Sequence, residues 1–273
     1  MGYDLEKANE TLRHFERLVE EGRVESWSGD LKVGVDLGTA NIVVAVVDSE
    51  NRPIAGITTP SRVVRDGIVV DYIGAVRALT RMKAELEARL GCSLNRAATA
   101  IPPGIMDGNV RCICNVVEGA GFEVSNVVDE PTAAASVLGI QDGAVVDVGG
   151  GTTGISIMEN GKVIYVADEP TGGTHMTLVL GGFYRCTTEE AEVMKKDPAQ
   201  EHAVFPVIRP VVEKMASIVK ANLRAHPAET IYVVGGACCF SQFEQVFEKN
   251  IGIPTIKPAA PLLVTPLGIA MNA

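Results

Sequence analysis

The stretch 33–47, VGVDLGTANIVVAVV, returns in altered form at 144–158 as AVVDVGGGTTGISIM. Each copy runs apolar and β-rich into an aspartate, Asp36 or Asp147, crosses a turn of glycine and threonine, and leaves by a second apolar run. Val/Ile segments bounded by glycine read as strands, so each copy predicts a β-hairpin with its polar residues in the turn. Glycine there lets backbone N–H groups approach phosphate oxygens and tolerates positive φ. Gly38 in the first turn and Gly149, Gly150 and Gly151 in the second are therefore candidate phosphate-cradle residues, with Thr39, Asn41, Thr152 and Thr153 as side-chain donors. Asp36 and Asp147 are placed to hold a hard cation such as Mg²⁺ through its waters, as one or two carboxylates usually do while the ion bridges substrate phosphates. One such hairpin is an ordinary turn. Two in one chain, each with aspartate at the strand end and threonine in the turn, predict a nucleotide clamp.

The 273 residues are enough for two related lobes of ordinary domain size. Hydrophobic residues make up 47% of the chain, yet no apolar run approaches the ~20 residues of a membrane span, and the charged N-terminus is not signal-like. A cytoplasmic protein is expected. The six cysteines include no CxxC pair with matching partners, which excludes a zinc site or a disulfide framework as the basis of the fold. Cys112 and Cys114 share a face if their stretch is a strand and part if it is a helix; both read as small buried hydrophobes. A net charge of -10 without a basic run argues against nucleic acid or anionic membrane as partner. His14, His175, His202 and His226 have no metal-ligand spacing and read as surface or packing residues.

Residues 3–21 place Leu5, Leu12, Phe15, Leu18 and Val19 at helical spacing among charged residues, an amphipathic helix followed by a linker through Asp30. Its apolar face either packs on the body or serves as a docking peptide. A helix is predicted over 76–90, ended by Gly91, then a strand at 96–104 broken by Pro102 and Pro103, a helix ending near Gly119 and Gly121, and a strand into Asp129. Strands alternating with helices mean an α/β fold. DEPTAAASVLG (129–139) begins another helix with Pro131 in its first turn and Glu130 at the junction. A carboxylate there suits a general base that orients or deprotonates water, although a favourable charge at a helix N-terminus accounts for it equally. Downstream come a strand and a Gly172–Gly173 turn, a capped helix over 187–196, a helix over 207–223, and TIYVVGGACCF (230–240), a buried strand turning at Gly235 and Gly236 into a helix. Paired glycines at such a turn let a base or ribose lie against the backbone.

Taken in order, VDLGTAN, DEPTAAA, DVGGGTT and VVGGACC resemble the phosphate-1, connect, phosphate-2 and adenosine motifs of the actin, Hsp70 and sugar-kinase superfamily, and PLLVTPLGIA (261–270) resembles its final helix. Within it, VRDGIVVDY, FEVSNVVDEPTAAA, DVGGGTTGI and ADEPTGGTHMTLVLGG are most similar to the Hsp70-like proteins of bacterial ethanolamine utilisation. The resemblance covers residue 31 onward. It implies an actin-like ATPase fold: two lobes of duplicated RNase H-like topology around a nucleotide cleft, with reduced insert subdomains. The expected division is 1–29 for the helix and linker, 30–142 for the first lobe and 143–273 for the second. It implies ATP and Mg²⁺ as cofactors, Asp36 and Asp147 near the magnesium, Gly38, Thr39, Asn41, Gly149, Gly150, Gly151, Thr152 and Thr153 along the phosphates, Glu130 near the attacking water, and Gly235 and Gly236 against the nucleoside. Positioning and charge neutralisation, rather than covalent chemistry, suit such a set.

The chain departs from the Hsp70 pattern in three places. Gly154 stands where Hsp70 has an aspartate near the metal. The segment between the first hairpin and Asp66 is too short for the subdomain carrying Hsp70's catalytic lysine. No peptide-binding domain is expected past the last helix. Nucleotide binding is therefore expected ahead of fast hydrolysis, with a slow ATPase at most. The resemblance implies a nucleotide-switched chaperone-type factor that reactivates or assembles ethanolamine ammonia-lyase; the alternatives are a structural component of the ethanolamine microcompartment docked through the N-terminal helix, and a filament-forming actin relative. A small-molecule kinase lacks the acceptor-binding subdomain it would need.

Overall fold

A computed structural model describes residues 5–65, 67–102 and 104–273; Asp66 and Pro103 lie outside it, as do residues 1–4. The first lobe runs α1 (Leu5–Glu21), β1 (Lys32–Leu37), β2 (Asn41–Val47), β3 (Pro53–Pro60), the two-residue strands β4 (Val64–Arg65) and β5 (Ile68–Val69), α2 (Tyr72–Leu90), β6 (Arg96–Ile101), α3 (Asp107–Gly119), β7 (Glu123–Asp129) and α4 (Glu130–Leu138). The second runs β8 (Gly143–Val148), β9 (Thr153–Glu159), β10 (Lys162–Glu169), α5 (Gly173–Tyr184), α6 (Thr188–Lys196), α7 (Glu201–Ala225), β11 (Ile231–Val234), α8 (Phe243–Ile251) and β12 (Thr255–Ile256), after which α9 (Val264–Met271) returns to pack on α4, β1 and β2 of the first.

Among the described residues the large sheets have orders β3-β2-β1-β6-β7 and β10-β9-β8-β11-β12. These are one order used twice. In each, the first strand is central, antiparallel to the second and parallel to the fourth. The repeat visible in the two hairpins thus extends to whole lobes, the duplicated RNase H-like topology of the actin-like fold. Only the small β4–β5 hairpin stands between β3 and α2, so the insert subdomain there is reduced.

The central hairpins are buried on both faces, which is why they read as unbroken apolar runs rather than as alternating ones. Ile42, Val44 and Val46 of β2 face a core shared with α2 and α3, while Val43, Ala45 and Val47 face a second core shared with α4 and α9. In the second sheet Val146, Val148, Ile155 and Ile157 meet α7 and α8, whose Phe243 and Phe247 stack at 4.7 Å between centroids. The helices α4 and α9 cross where the two lobes join. A Cβ on Gly268 of α9 would lie 1.9 Å from the Ala133 carbonyl oxygen of α4, so only glycine permits this approach.

The α1 helix lies on its own lobe: Leu12 and Phe15 are fully buried, with the Phe15 ring over β3 at Gly56. Asn9 Oδ1 also accepts the Ala259 N–H at 2.7 Å, tying α1 to the second lobe. Of the two fates open to this helix, packing on the body is the one realised, and its apolar face is covered.

Gly91 ends α2 as predicted, with φ of 69° and its N–H bonded to the Glu87 carbonyl, but the helix begins earlier, capped by Asp71. Cys112 and Cys114 fall on α3 and so on different sides of a helix. The α7 helix, expected from Val207, extends back through Pro206 to Glu201 and holds Pro210 as well. Proline removes a ladder bond, and the buried stripe Val204, Phe205, Ile208, Val212 and Met215 holds the helix despite it. After β11 the chain makes a 3₁₀ turn, Gly236–Cys238, and α8 begins only at Phe243, rather than a helix following Gly236 directly. Neither β3 nor α5 was legible. Among the described residues no helix is long and apolar enough to cross a membrane.

Candidate functional site

The turns after β1 and β8 both open into one cavity of about 610 Å³ between the lobes. Asp36, Gly38, Thr39, Asn41 and Glu130 line it from the first lobe; Asp147, Gly149, Gly150, Gly151, Thr152, Gly235 and Gly236 line it from the second. The two turns nearly touch, since a Cβ on Gly150 would stand 3.1 Å from Ala40 Cβ. In the second turn, the Gly149 N–H donates to the Thr152 carbonyl at 3.0 Å. The Gly149 and Gly150 carbonyls accept from the N–H groups of Gly173 and Thr174 at the start of α5, at 2.9 and 2.8 Å. Those bonds fix the peptide planes, turning the N–H groups of Gly150 and Gly151 away from α5.

Thr153 stands apart from this set. It is fully buried, and its hydroxyl donates to the Thr171 carbonyl at 2.7 Å. Thr152 is in the turn, whereas Thr153 is already in β9 opposite Val148, and its hydroxyl anchors the strand instead of facing the cavity.

Glu130 is the first residue of α4, whose cap is Asp129: the Asp129 side chain accepts the Thr132 N–H at 2.9 Å. The cap frees Glu130 to face the cavity. On the opposite wall Gly235 adopts φ of 93°, and a Cβ there would lie 2.3 Å from Asp147 Oδ1. The bare backbone after β11 is therefore packed directly against the carboxylate at the end of β8.

Three carboxyl groups from the two sides of the cleft meet in the cavity, and burial is the first cause of the shift in each. Loss of water, and then the charge of Asp147, pushes Asp36 up to about 7. Asp147 is pushed up to about 6 by burial and by Asp168, against a lowering hydrogen bond from the Thr265 hydroxyl at 3.3 Å. Glu130 is raised well above its ordinary value by burial and then by Asp147, Asp36, Asp168 and Asp129. Among the described residues on the cavity wall the basic ones are Lys195 and Lys196 of α6. The Lys195 ammonium is already held by Glu192 at 2.7 Å, the Thr177 hydroxyl at 2.8 Å and the Gly173 carbonyl at 3.0 Å. Clustered hard oxygen donors without a cation of their own fit a divalent ion such as Mg²⁺. Among the described residues no three His, Cys, Asp or Glu groups converge as direct ligands, so such an ion would be held through its waters.

Sequence reasoning missed Asp168, Glu192, Lys195, Lys196 and Thr265, all on the cavity wall. The helix bearing the two lysines was legible from its capping box, Thr187 with Glu190, which the structure contains. Its lysines read only as charges complementing the helix dipole. Nothing in their spacing from the hairpins ties them to the cleft.

Comparison with known proteins places these features in context. Residues 133–262 match the family described as Type IV pilus assembly protein PilM, and residues 70–192 match the Hsp70 protein family. The ethanolamine utilization protein EutJ of Salmonella typhimurium is 45% identical over 243 residues, covering 88% of this chain and 85% of that protein. The crystal structure of EutJ from Carboxydothermus hydrogenoformans is similar with a TM-score of 0.96 at 47% identity, over 99% of this chain and 100% of that one. MreB5 of Spiroplasma citri bound to AMPPNP is similar with a TM-score of 0.69 at 16% identity, over 88% and 95% of the two chains. At that identity the likeness is one of fold.

Proposed function

The chain belongs to the EutJ family of ethanolamine utilisation proteins, and from that footing we propose that it binds ATP with Mg²⁺ between its lobes and acts as a nucleotide-switched factor that reactivates or assembles ethanolamine ammonia-lyase. One observation carries the nucleotide half of this reading: two glycine turns, far apart in sequence, face one cavity whose wall holds Asp36, Asp147 and Glu130. Magnesium bound with the nucleotide would supply charge neutralisation at the phosphates. Asp36 and Asp147 hold the waters around that charge. The turn residues Gly38, Thr39, Asn41, Gly149, Gly150, Gly151 and Thr152 present backbone and hydroxyl donors. Gly235 and Gly236 leave a flat wall for the nucleoside, beside Lys195.

Glu130 is the group placed to take a proton from an attacking water, and its raised affinity for protons makes it the stronger base once ionised. The basic residues on the cavity wall, Lys195 and Lys196, both come from the second lobe. With no first-lobe cation among the described residues of the cavity wall, slow turnover or binding alone is the expected regime; a positioned arginine elsewhere is worth ~10³–10⁵ in rate. Closure of the lobes around nucleotide is the switch a partner would sense. The microcompartment-scaffold reading leaned on α1 as a docking peptide, and that helix spends its apolar face on its own lobe. We place the protein in the cytoplasm, where its lyase partner would be met, with microcompartment association as part of the same proposal.

The test is to inactivate ethanolamine ammonia-lyase with damaged cofactor, add this protein with Mg²⁺-ATP and fresh cofactor, and follow turnover. Recovery that requires both protein and ATP is expected. Equal recovery without the protein, in a preparation that demonstrably binds nucleotide, rules out the lyase as the partner.

A further inference from the structure

In the second sheet Asp147 on β8 is paired with Gly154 on β9, and Gly154 is paired in turn with Asp168 on β10. Residues in register across neighbouring strands point to one face, so the two aspartates share a face with a glycine between them. Strands lie ~4.8 Å apart, which puts the two backbones about 10 Å apart. Gly154 sends no side chain into the gap, and even a Cβ there would meet nothing nearer than the Asp147 carbonyl oxygen at 4.0 Å. Asp147, Gly154 and Asp168 all line the cleft cavity. Carboxyl groups on a common face with a bare glycine between them leave room for water in the gap.

We infer that Asp168 is a carboxylate of the magnesium site, reaching from β10 over the space left by Gly154 to the water shell of the ion that Asp36 and Asp147 hold. This rests on the nucleotide and magnesium reading above. Asp168 is accessible to solvent at the cavity wall, as a ligand acting through water must be. Its contribution is to the affinity and position of the cation, with the nucleotide felt only through it.

The experiment titrates Mg²⁺ into a fixed concentration of a fluorescent ATP analogue with the parent, Asp168→Asn and the double variant Asp168→Asn/Gly154→Asp, and repeats analogue binding in EDTA. Asp168→Asn is expected to raise the half-saturating Mg²⁺ concentration about tenfold, the lower end of what outer-shell partners of a metal contribute. Binding in EDTA should be no weaker than in the parent, since a repelling charge is gone. The double variant should recover at least part of the Mg²⁺ dependence, because the carboxylate returns one strand nearer to Asp147. An unchanged half-saturation in Asp168→Asn overturns the inference and leaves the nucleotide reading intact. Equal weakening with and without Mg²⁺ overturns it as well, since the role would then be structural. A parent that binds the analogue under neither condition overturns the nucleotide reading and this inference with it.

Discussion

At the scale of single residues, the carboxyl groups of the cleft are held against their solution preferences. Asp36 titrates at about 7 in the folded protein and near 3.9 when unfolded. Between those values the folded state binds more protons, so this group's contribution to stability is full below about pH 4 and is lost as pH rises through 7. Asp36→Asn should therefore make the nucleotide-free protein more stable than the parent at pH 8, with the advantage gone near pH 4. Urea midpoints at the two pH values in EDTA check this, and an Asn variant less stable at pH 8 would contradict it. Asp48 shows the opposite sign: burial alone would raise it, but hydrogen bonds from the backbone and side chain of Arg52 and the backbone of Glu50 hold it below the ordinary range. It gives stability above about pH 4 that is lost on further acidification. The contrast separates an acid whose charge the fold satisfies by hydrogen bonds from cleft acids whose charge burial disfavours. Much of the second group was legible: Asp36, Asp147 and Glu130 stand at strand ends and a helix start beside glycine turns. Asp168 was not, because only the register of β10 brings it opposite Gly154.

At the scale of elements, legibility followed local pattern. The hairpins, the Gly91 end of α2 and the capping box of α6 are determined by residues near in sequence, and the structure has them. The elements that escaped are those decided by contacts from elsewhere. The α5 helix has little amphipathic contrast and carries Gly181 and Gly182 in its last turn, so neither period nor composition marks it. The α7 helix runs through two prolines because its buried stripe outweighs two missing ladder bonds. The α1 helix was recognised, but what it covers depends on β3, a strand that was not. Phe15→Ala should cost about 3–5 kcal/mol as a deleted core aromatic, leaving nucleotide affinity unchanged. Denaturant unfolding beside a binding titration separates these effects. A loss below about 1 kcal/mol would mean that α1 leaves the lobe in solution, and the docking-peptide role would return.

At the scale of the molecule, one order of strands used twice sets two loaded hairpins face to face, and the crossing of α4 and α9 at Gly268 and Ala133 joins the lobes behind them. The duplication, the cleft and most of its glycine lining are readable from two short motifs, since the same residues serve local turn and distant site. The α6 wall of the cleft with its lysines is a property of the assembled fold alone. The central claim is that this arrangement binds Mg²⁺-ATP, and thermal unfolding of the parent and of Asp147→Ala with and without that ligand tests it most directly. Ligand at 100 times its dissociation constant adds about 2.7 kcal/mol, a rise of several degrees at about 2–4 °C per kcal/mol. That rise is expected in the parent and should be lost in Asp147→Ala; no shift in the parent, or an equal shift in both, would mean that the cleft does not hold Mg²⁺-ATP through Asp147.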